Sequence, residues 1–229
     1  MTPLLLIPGF MCDHRLFVPQ IAALGTDREI VVITPTQDTI EGMATVMLGA
    51  VAGPICVGGL SMGGIVAMEM LRQAPERIER LALIDTTPLA DAPENFGIRN
   101  RQIKDVWRGK LKDVMREELK PAYLADSINK NEIMELCTDM AQVLGPVVFE
   151  AQAKALRDRA DFRNALALAP SRTLILHGSE DRLCPRERHH EMHLLVPGST
   201  LVSVTGAGHL PTLEQPAATS KALLSWLSD

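Results

Sequence analysis

Long apolar runs are missing from this chain. Stretches such as Leu4 to Ile7 and Ile30 to Ile33 are only a few positions long, far short of the roughly 20 residues that cross a bilayer. No membrane-spanning helix is expected, and no membrane partner. Paired cysteines are missing too. Cys12, Cys56, Cys137 and Cys184 are scattered and include no Cys-x-x-Cys pair, which argues against a zinc ribbon or a thioredoxin-type site and makes reduced thiols the default reading. An excess of basic residues is also absent. A net charge of -5 and a pI near 5.7 give no general attraction to nucleic acid, so no nucleic-acid partner is expected. The chain has no internal repeat and no low-complexity stretch. No basic segment precedes the apolar pattern that starts at Pro3, and no small-residue cleavage pattern follows it. The expected location is cytoplasmic.

What is present is ordinary globular usage, 46% apolar and 22% charged over 229 residues, which fits one domain with a modest insertion. Short runs rich in Val, Ile and Leu alternate with longer helical patterns, the signature of a parallel sheet wrapped by helices. Strands are predicted at Leu4 to Ile7, Ile30 to Ile33, Ile55 to Gly58, Leu81 to Ile84, Thr173 to Leu176 and Thr200 to Val204. Helices are predicted over Leu16 to Leu24, Ile40 to Val51, Met62 to Gln73, Arg186 to Leu195 and Gln215 to Leu227. The fold class is therefore α/β: a doubly wound, mostly parallel six-stranded sheet of order 2-1-3-4-5-6 with helices on both faces. From Pro88 to about Arg159 the pattern is helical and charged with no credible strand. This interval reads as an inserted helical cap, 88–159, on a core made of 1–87 and 160–229. Prolines at 93, 121 and 146 divide it into four short helices, since proline is tolerated only near a helix start.

One strand runs into Gly59-Leu60-Ser61-Met62-Gly63-Gly64 and then into a helix. A serine at the tip of such a turn sits in a strained conformation, and glycine is needed two positions to either side. The bare Gly-x-Ser-x-Gly pattern arises by chance in about one in fourteen average chains of this length, so its partners must carry the argument. A serine hydroxyl needs a general base to become a nucleophile. His209 lies in a glycine-rich loop after the last strand, on the same carboxyl edge of the sheet as Ser61. An acceptor must then fix the tautomer of the histidine, and Asp181, after the fifth strand, has the right place. Glu180 is its neighbour, and Asp85, which ends the fourth strand, is the rival. The chain order Ser, Asp, His is that of α/β-hydrolases. In the expected strand order the loop after strand one meets the serine turn at the topological switch point. This sets the Phe10 amide beside that of Met62, two donors for an oxyanion.

These residues resemble the α/β-hydrolase superfamily along essentially the whole chain, through Pro8-Gly9-Phe10, Gly59 to Gly64, Leu83-Ile84-Asp85-Thr86, Gly178 with Asp181 and Pro185, and Gly208-His209. The resemblance implies Ser61 as nucleophile, His209 as base, Asp181 as acid, and the amides of Phe10 and Met62 as oxyanion hole. It implies a serine esterase of small acyl substrates working through an acyl-enzyme, with no cofactor and no metal. The alternatives are carbon-carbon hydrolysis or a lyase step on the same fold, and a ligand-binding receptor without turnover. Two departures stand out. Pro8 replaces the usual histidine before the oxyanion glycine, and Thr34-Pro35-Thr36-Gln37-Asp38 lacks the usual glycine-rich loop.

Other features read as structural. His189, His190 and His193 share one predicted helix, where a solvated face is favoured over a metal site. The basic run Arg99, Arg101, Lys104, Arg108, Lys110 and Lys112 reads as a solvated face before it reads as a site for an anionic substrate or acyl carrier. An exposed cap offers a surface for a homodimer.

Overall fold

Strand β1 (Leu4–Ile7) is completely buried, as its unbroken apolar run requires of a strand covered on both faces. In the computed structural model, which describes residues 1–25, 27–119, 123–127 and 129–228, it sits second in a six-stranded sheet. The other strands are β2 (Ile30–Val32), β3 (Ile55–Leu60), β4 (Ile78–Ile84), β5 (Thr173–Gly178) and β6 (Thr200–Val204). Their spatial order is β2-β1-β3-β4-β5-β6, and every neighbouring pair is parallel. The order reverses between β1 and β3.

Side chains alternate across the sheet, as the two-residue period of a strand dictates. Leu5, Ile7, Val57, Leu83 and Ile175 fall in one core cluster, whereas Leu4, Leu6, Cys56, Ala82, Leu174 and Leu176 fall in the other. Helices cover both faces. Helix α1 (Val18–Leu24) follows a short 3-10 turn at His14–Phe17; α2 (Ile40–Ala50) starts where the Thr39 hydroxyl accepts the Gly42 amide; α3 (Met62–Gln73) follows β3 directly.

Between β4 and β5 the described residues contain no strand. Helix α4 (Asn95–Asp105) passes through π-helical stretches at Val106–Lys110 and Val114–Leu119 that flank the single turn α5 (Leu111–Asp113). Helix α6 (Lys130–Arg157) bends at Gly145, where φ is 77°. The bend has a local cause, because Pro146 removes a donor and must open a new helical run. Its first half feeds Cys137 and Met140 into one core cluster and its second half feeds Phe149 and Ala153 into the other. Among the described residues, non-helical backbone at Gly109 (φ 85°) and at Gly145 leaves four helical runs, the number expected, with Gly109 and not a proline making the first break. Pro93 lies just before α4, and Pro121 lies outside the described residues. Helices α7 (Arg186–Leu195), α8 (Pro211–Glu214) and α9 (Pro216–Ser228) complete the chain. No described helix is long and apolar enough to cross a membrane.

Candidate active site

Ser61 joins β3 to α3 with φ 55° and ψ -116°, a strained backbone state that functional turns often hold. A serine at a helix N-cap ordinarily turns its oxygen onto an amide of the first turn. Here it makes no such bond, and the hydroxyl is left for other work. Two glycines permit the turn. A Cβ on Gly59 would lie 2.2 Å from the Gly63 carbonyl oxygen, and one on Gly63 would lie 1.9 Å from the Ile7 carbonyl oxygen. The second contact shows that the elbow is pressed against the end of β1, which brings the loop Pro8-Gly9-Phe10 alongside it. Thr86 braces the same turn, its hydroxyl donating to the Ser61 carbonyl at 2.7 Å.

His209 reaches the serine from the loop after β6. Its Nε2 is 2.8 Å from Ser61 Oγ, and its Nδ1 is 2.8 Å from Asp181 Oδ2. His209 is fully buried and Asp181 nearly so. The other carboxylate oxygen of Asp181 accepts the amides of Leu183 (2.8 Å) and Cys184 (3.0 Å). Burial works against the Asp181 charge, but the His209 ring beside it and these donors hold its pKa down to about 2. With Asp181 ionised, Nδ1 carries the proton and Nε2 is the acceptor that faces the hydroxyl.

Asp85 behaves differently. It is completely buried with φ 42°, and its Oδ1 accepts the Gly178 amide at 2.9 Å while Oδ2 has no donor among the described residues. Burial, followed by the charge on Asp181, pushes its pKa well above the usual carboxylate range. Of the two neighbouring carboxyls, the surroundings favour the charged form of the one bonded to histidine and the neutral form of the other. Glu180 is exposed and its amide donates to the Ala207 carbonyl.

The Phe10 amide finds no acceptor among the described residues, and Met62, as the first residue of α3, has no intrahelical acceptor for its amide. Two residues that sequence reasoning passed over hold the surroundings in place. Gln152 on α6 is completely buried; its Oε1 accepts the Met11 amide at 2.8 Å and its Nε2 donates to the Pro35 carbonyl at 2.7 Å. It ties the loop after β1 to the loop after β2. Glu214 takes the amides of Ala125 (2.7 Å), Gly208 (3.1 Å) and Leu210 (2.9 Å). No local motif marks either residue, since their partners are distant in sequence.

Two structural readings need correction. His189 is not on a solvated face: it is fully buried, stacked on His177 at 4.9 Å, and its Nε2 accepts the Thr86 amide at 3.2 Å. Burial and then the neighbouring His177 push its pKa down to about 3, so it stays neutral. Arg99 likewise departs from the basic solvated run, because α4 turns it toward the cavity in front of Ser61. Asp181, Cys184 and His209 do offer atoms within 4.8 Å of one another. Burial and then the Asp181 charge push the Cys184 thiol well up, and both ring nitrogens of His209 are bonded. This chemistry suits proton transfer better than metal ligation.

A cavity of about 280 Å³ opens on Ser61 and Phe10 and is walled by Thr86, Ile98, Tyr123 and Leu156, among others. A parallel sheet that carries a strained serine at the switch point, with histidine and aspartate on neighbouring loops of the same edge, has the architecture of a hydrolase of the α/β class. The chain belongs to the alpha/beta hydrolase family, whose model matches residues 4–222. It is similar to a malate-bound thermophilic esterase of Thermogutta terrifontis, with 31% identity over 100% of this chain and 90% of that one, and a TM-score of 0.91. It is 27% identical to the biotin biosynthesis bifunctional protein BioHC of Teredinibacter turnerae, over 98% of this chain but 44% of that protein's length. It is also 27% identical to a pimeloyl-(acyl-carrier protein) methyl ester esterase of Nitrosomonas europaea, over 78% of this chain and 73% of the relative.

Proposed function

We propose that the chain is a serine hydrolase that cleaves small carboxylic esters through an acyl-enzyme on Ser61. The observation that carries this reading is the His209 ring, bonded at 2.8 Å to Ser61 Oγ on one side and at 2.8 Å to Asp181 on the other. His209 Nε2 takes the hydroxyl proton as Oγ bonds to the ester carbon. The carbonyl oxygen becomes an oxyanion that the Phe10 and Met62 amides receive. Collapse breaks the bond to the leaving alcohol, to which the imidazolium returns the proton. Water then repeats the sequence on the acyl-enzyme, releasing the acid and restoring Ser61. Asp181 orients the ring and stabilises its charged form throughout.

The relatives whose names specify esterases support the ester assignment. Residues of the 88–159 segment line the cavity, including Asp91, Asn95, Ile98, Arg99 and Leu156, which supports its role as the cap that selects the substrate. A fluorophosphonate tests the nucleophile: we expect a stoichiometric adduct on Ser61 by intact mass and none on Ser61→Ala. Absence of the adduct on folded protein would favour a receptor, and adduct formation without turnover of chromogenic esters would favour carbon-carbon cleavage.

A further inference from the structure

In the wall of the same cavity two guanidinium groups converge on one carboxylate, Asp91. Asp91 and Arg159 lie in its wall with side chains 4% and 9% exposed, and Arg99 beside them is 18% exposed. Asp91 accepts Arg99 Nε and Asn95 Nδ2, the latter at 2.9 Å, and forms an ion pair with Arg159 Nη2 at 3.2 Å. Arg159 is fixed on its other donors, which reach the Leu89 and Leu156 carbonyls at 2.9 Å each. Arg99 is not: neither Nη atom has an acceptor among the described residues.

The remaining charged residue of the wall, Glu118, is matched from elsewhere. It is held by both Nη atoms of Arg101 (3.0 and 2.6 Å) and by Gln102 at 3.3 Å, and Arg101 is not part of the wall. One carboxylate therefore serves two guanidinium groups, leaving one positive charge over in this local group, at the wall of the cavity. Burial pushes the Arg159 pKa down even with Asp91 beside it, and Arg99 adds to the effect. A buried cation without a counter-charge is costly. A ligand anion would remove the imbalance.

We infer that the preferred substrate is an ester carrying a second, free carboxylate, which the Nη pair of Arg99 binds on the Asp91–Arg159 platform. A planar guanidinium edge matches a carboxylate with two parallel bonds. One surplus cation fits one carboxylate; a phosphate monoester, with a charge of about -1.5 to -2, would leave the site negative. The cavity, about 280 Å³, favours a short chain between the two ends. This inference rests on the ester-cleaving role of Ser61.

The test compares kcat/KM for monomethyl glutarate with that for methyl pentanoate, and for 4-acetoxybutanoate with that for butyl acetate. The first pair puts the carboxylate on the acyl side and the second on the alcohol side. We expect one anionic ester to be preferred over its neutral partner by about ten- to a hundredfold, the range for a charged hydrogen-bonding pair, mainly through KM. In Arg99→Gln that preference should collapse, with Arg99→Lys intermediate, while fluorophosphonate labelling of Ser61 reports that the site is intact. Turnover of neutral esters without such a preference, or a preference that survives in Arg99→Gln, overturns the carboxylate subsite and leaves the esterase reading standing. Failure of all four esters overturns both.

Discussion

Glu214 Oε1 accepts the Gly208 amide at 3.1 Å, one residue before His209, while its other oxygen takes the Leu210 amide one residue after. The histidine is thereby clamped from both sides by a single buried carboxylate. That carboxylate also takes the Ala125 amide at 2.7 Å. The loop carrying His209 and the segment following residue 122 are thus joined through Glu214, and again where the His209 amide donates to the Tyr123 carbonyl.

Glu214→Gln is expected to lose about 1–3 kcal/mol of stability, because an amide NH2 replaces one acceptor and leaves a buried donor unsatisfied. The imidazole should also lose its fixed orientation. We expect ester kcat to fall more than KM rises; a variant as stable and as active as the parent would show that the clamp is dispensable.

Asp181→Asn should cut turnover by about ten-thousandfold, as the corresponding change does in a serine protease of another fold, because an amide there favours the wrong tautomer of histidine. Asp85→Asn should be mild. Burial favours the neutral form of the Asp85 carboxyl, and its Oδ1 accepts the Gly178 amide, a role that asparagine reproduces. Kinetics of the two folded variants with one chromogenic ester decide between them, and a larger loss in Asp85→Asn would transfer the acid's role to it.

His189 gives the fold an acid-sensitive point. Its folded pKa of about 3 lies below the ordinary histidine value of 6.5, so between those values the unfolded chain binds a proton that the native chain does not. Stability then falls as pH drops through this window, by up to about 1.4 kcal/mol per pH unit. His189→Gln keeps an acceptor for the Thr86 amide and removes the titration. Urea midpoints at pH 7 and pH 5 should differ less in the variant; an unchanged difference would show that another group governs the acid response.

Gly63→Ala and Gly97→Ala should move stability in opposite directions. The first places a methyl 1.9 Å from a carbonyl oxygen of rigid backbone, a conflict expected to cost more than about 4 kcal/mol or to prevent folding. The second lies within α4 with nothing inside 4 Å, so alanine should stabilise by about 0.5–1 kcal/mol through helix propensity. Thermal denaturation of both variants checks the contrast.

The sheet was legible because its strands are short apolar runs and its connections are helices. β1, α3 and α7 end where their patterns end, and β6 spans Thr200–Val204 as the sequence indicates. That Ser61, Asp181 and His209 would come together at one edge of the sheet was legible because each sits in a loop whose glycines and position mark it. The segment between β4 and β5 was less so. Helical spacing identified it as helical and Pro146 marked the break at Gly145, yet the π-helical stretches depend on how the run packs, and period alone carries no such information.

By itself the sequence determined the class of this protein: strand order, serine turn and the Ser, Asp, His order follow from local pattern and from the rules of parallel crossovers. Tertiary structure alone decided which groups carry charge. Asp85 and Asp181 are both carboxyls at strand ends, and only their packing pushes the pKa of the first up and holds that of the second down. His189 shares a helix with His190 and His193, and only its burial under Thr86 keeps it neutral. Arg99 belongs to a basic run that looks solvated, and only the fold turns it toward the cavity beside Asp91 and Arg159. The physical reason is common to all three: protonation and charge balance depend on desolvation and on neighbours distant in the chain, and neither is written in local sequence.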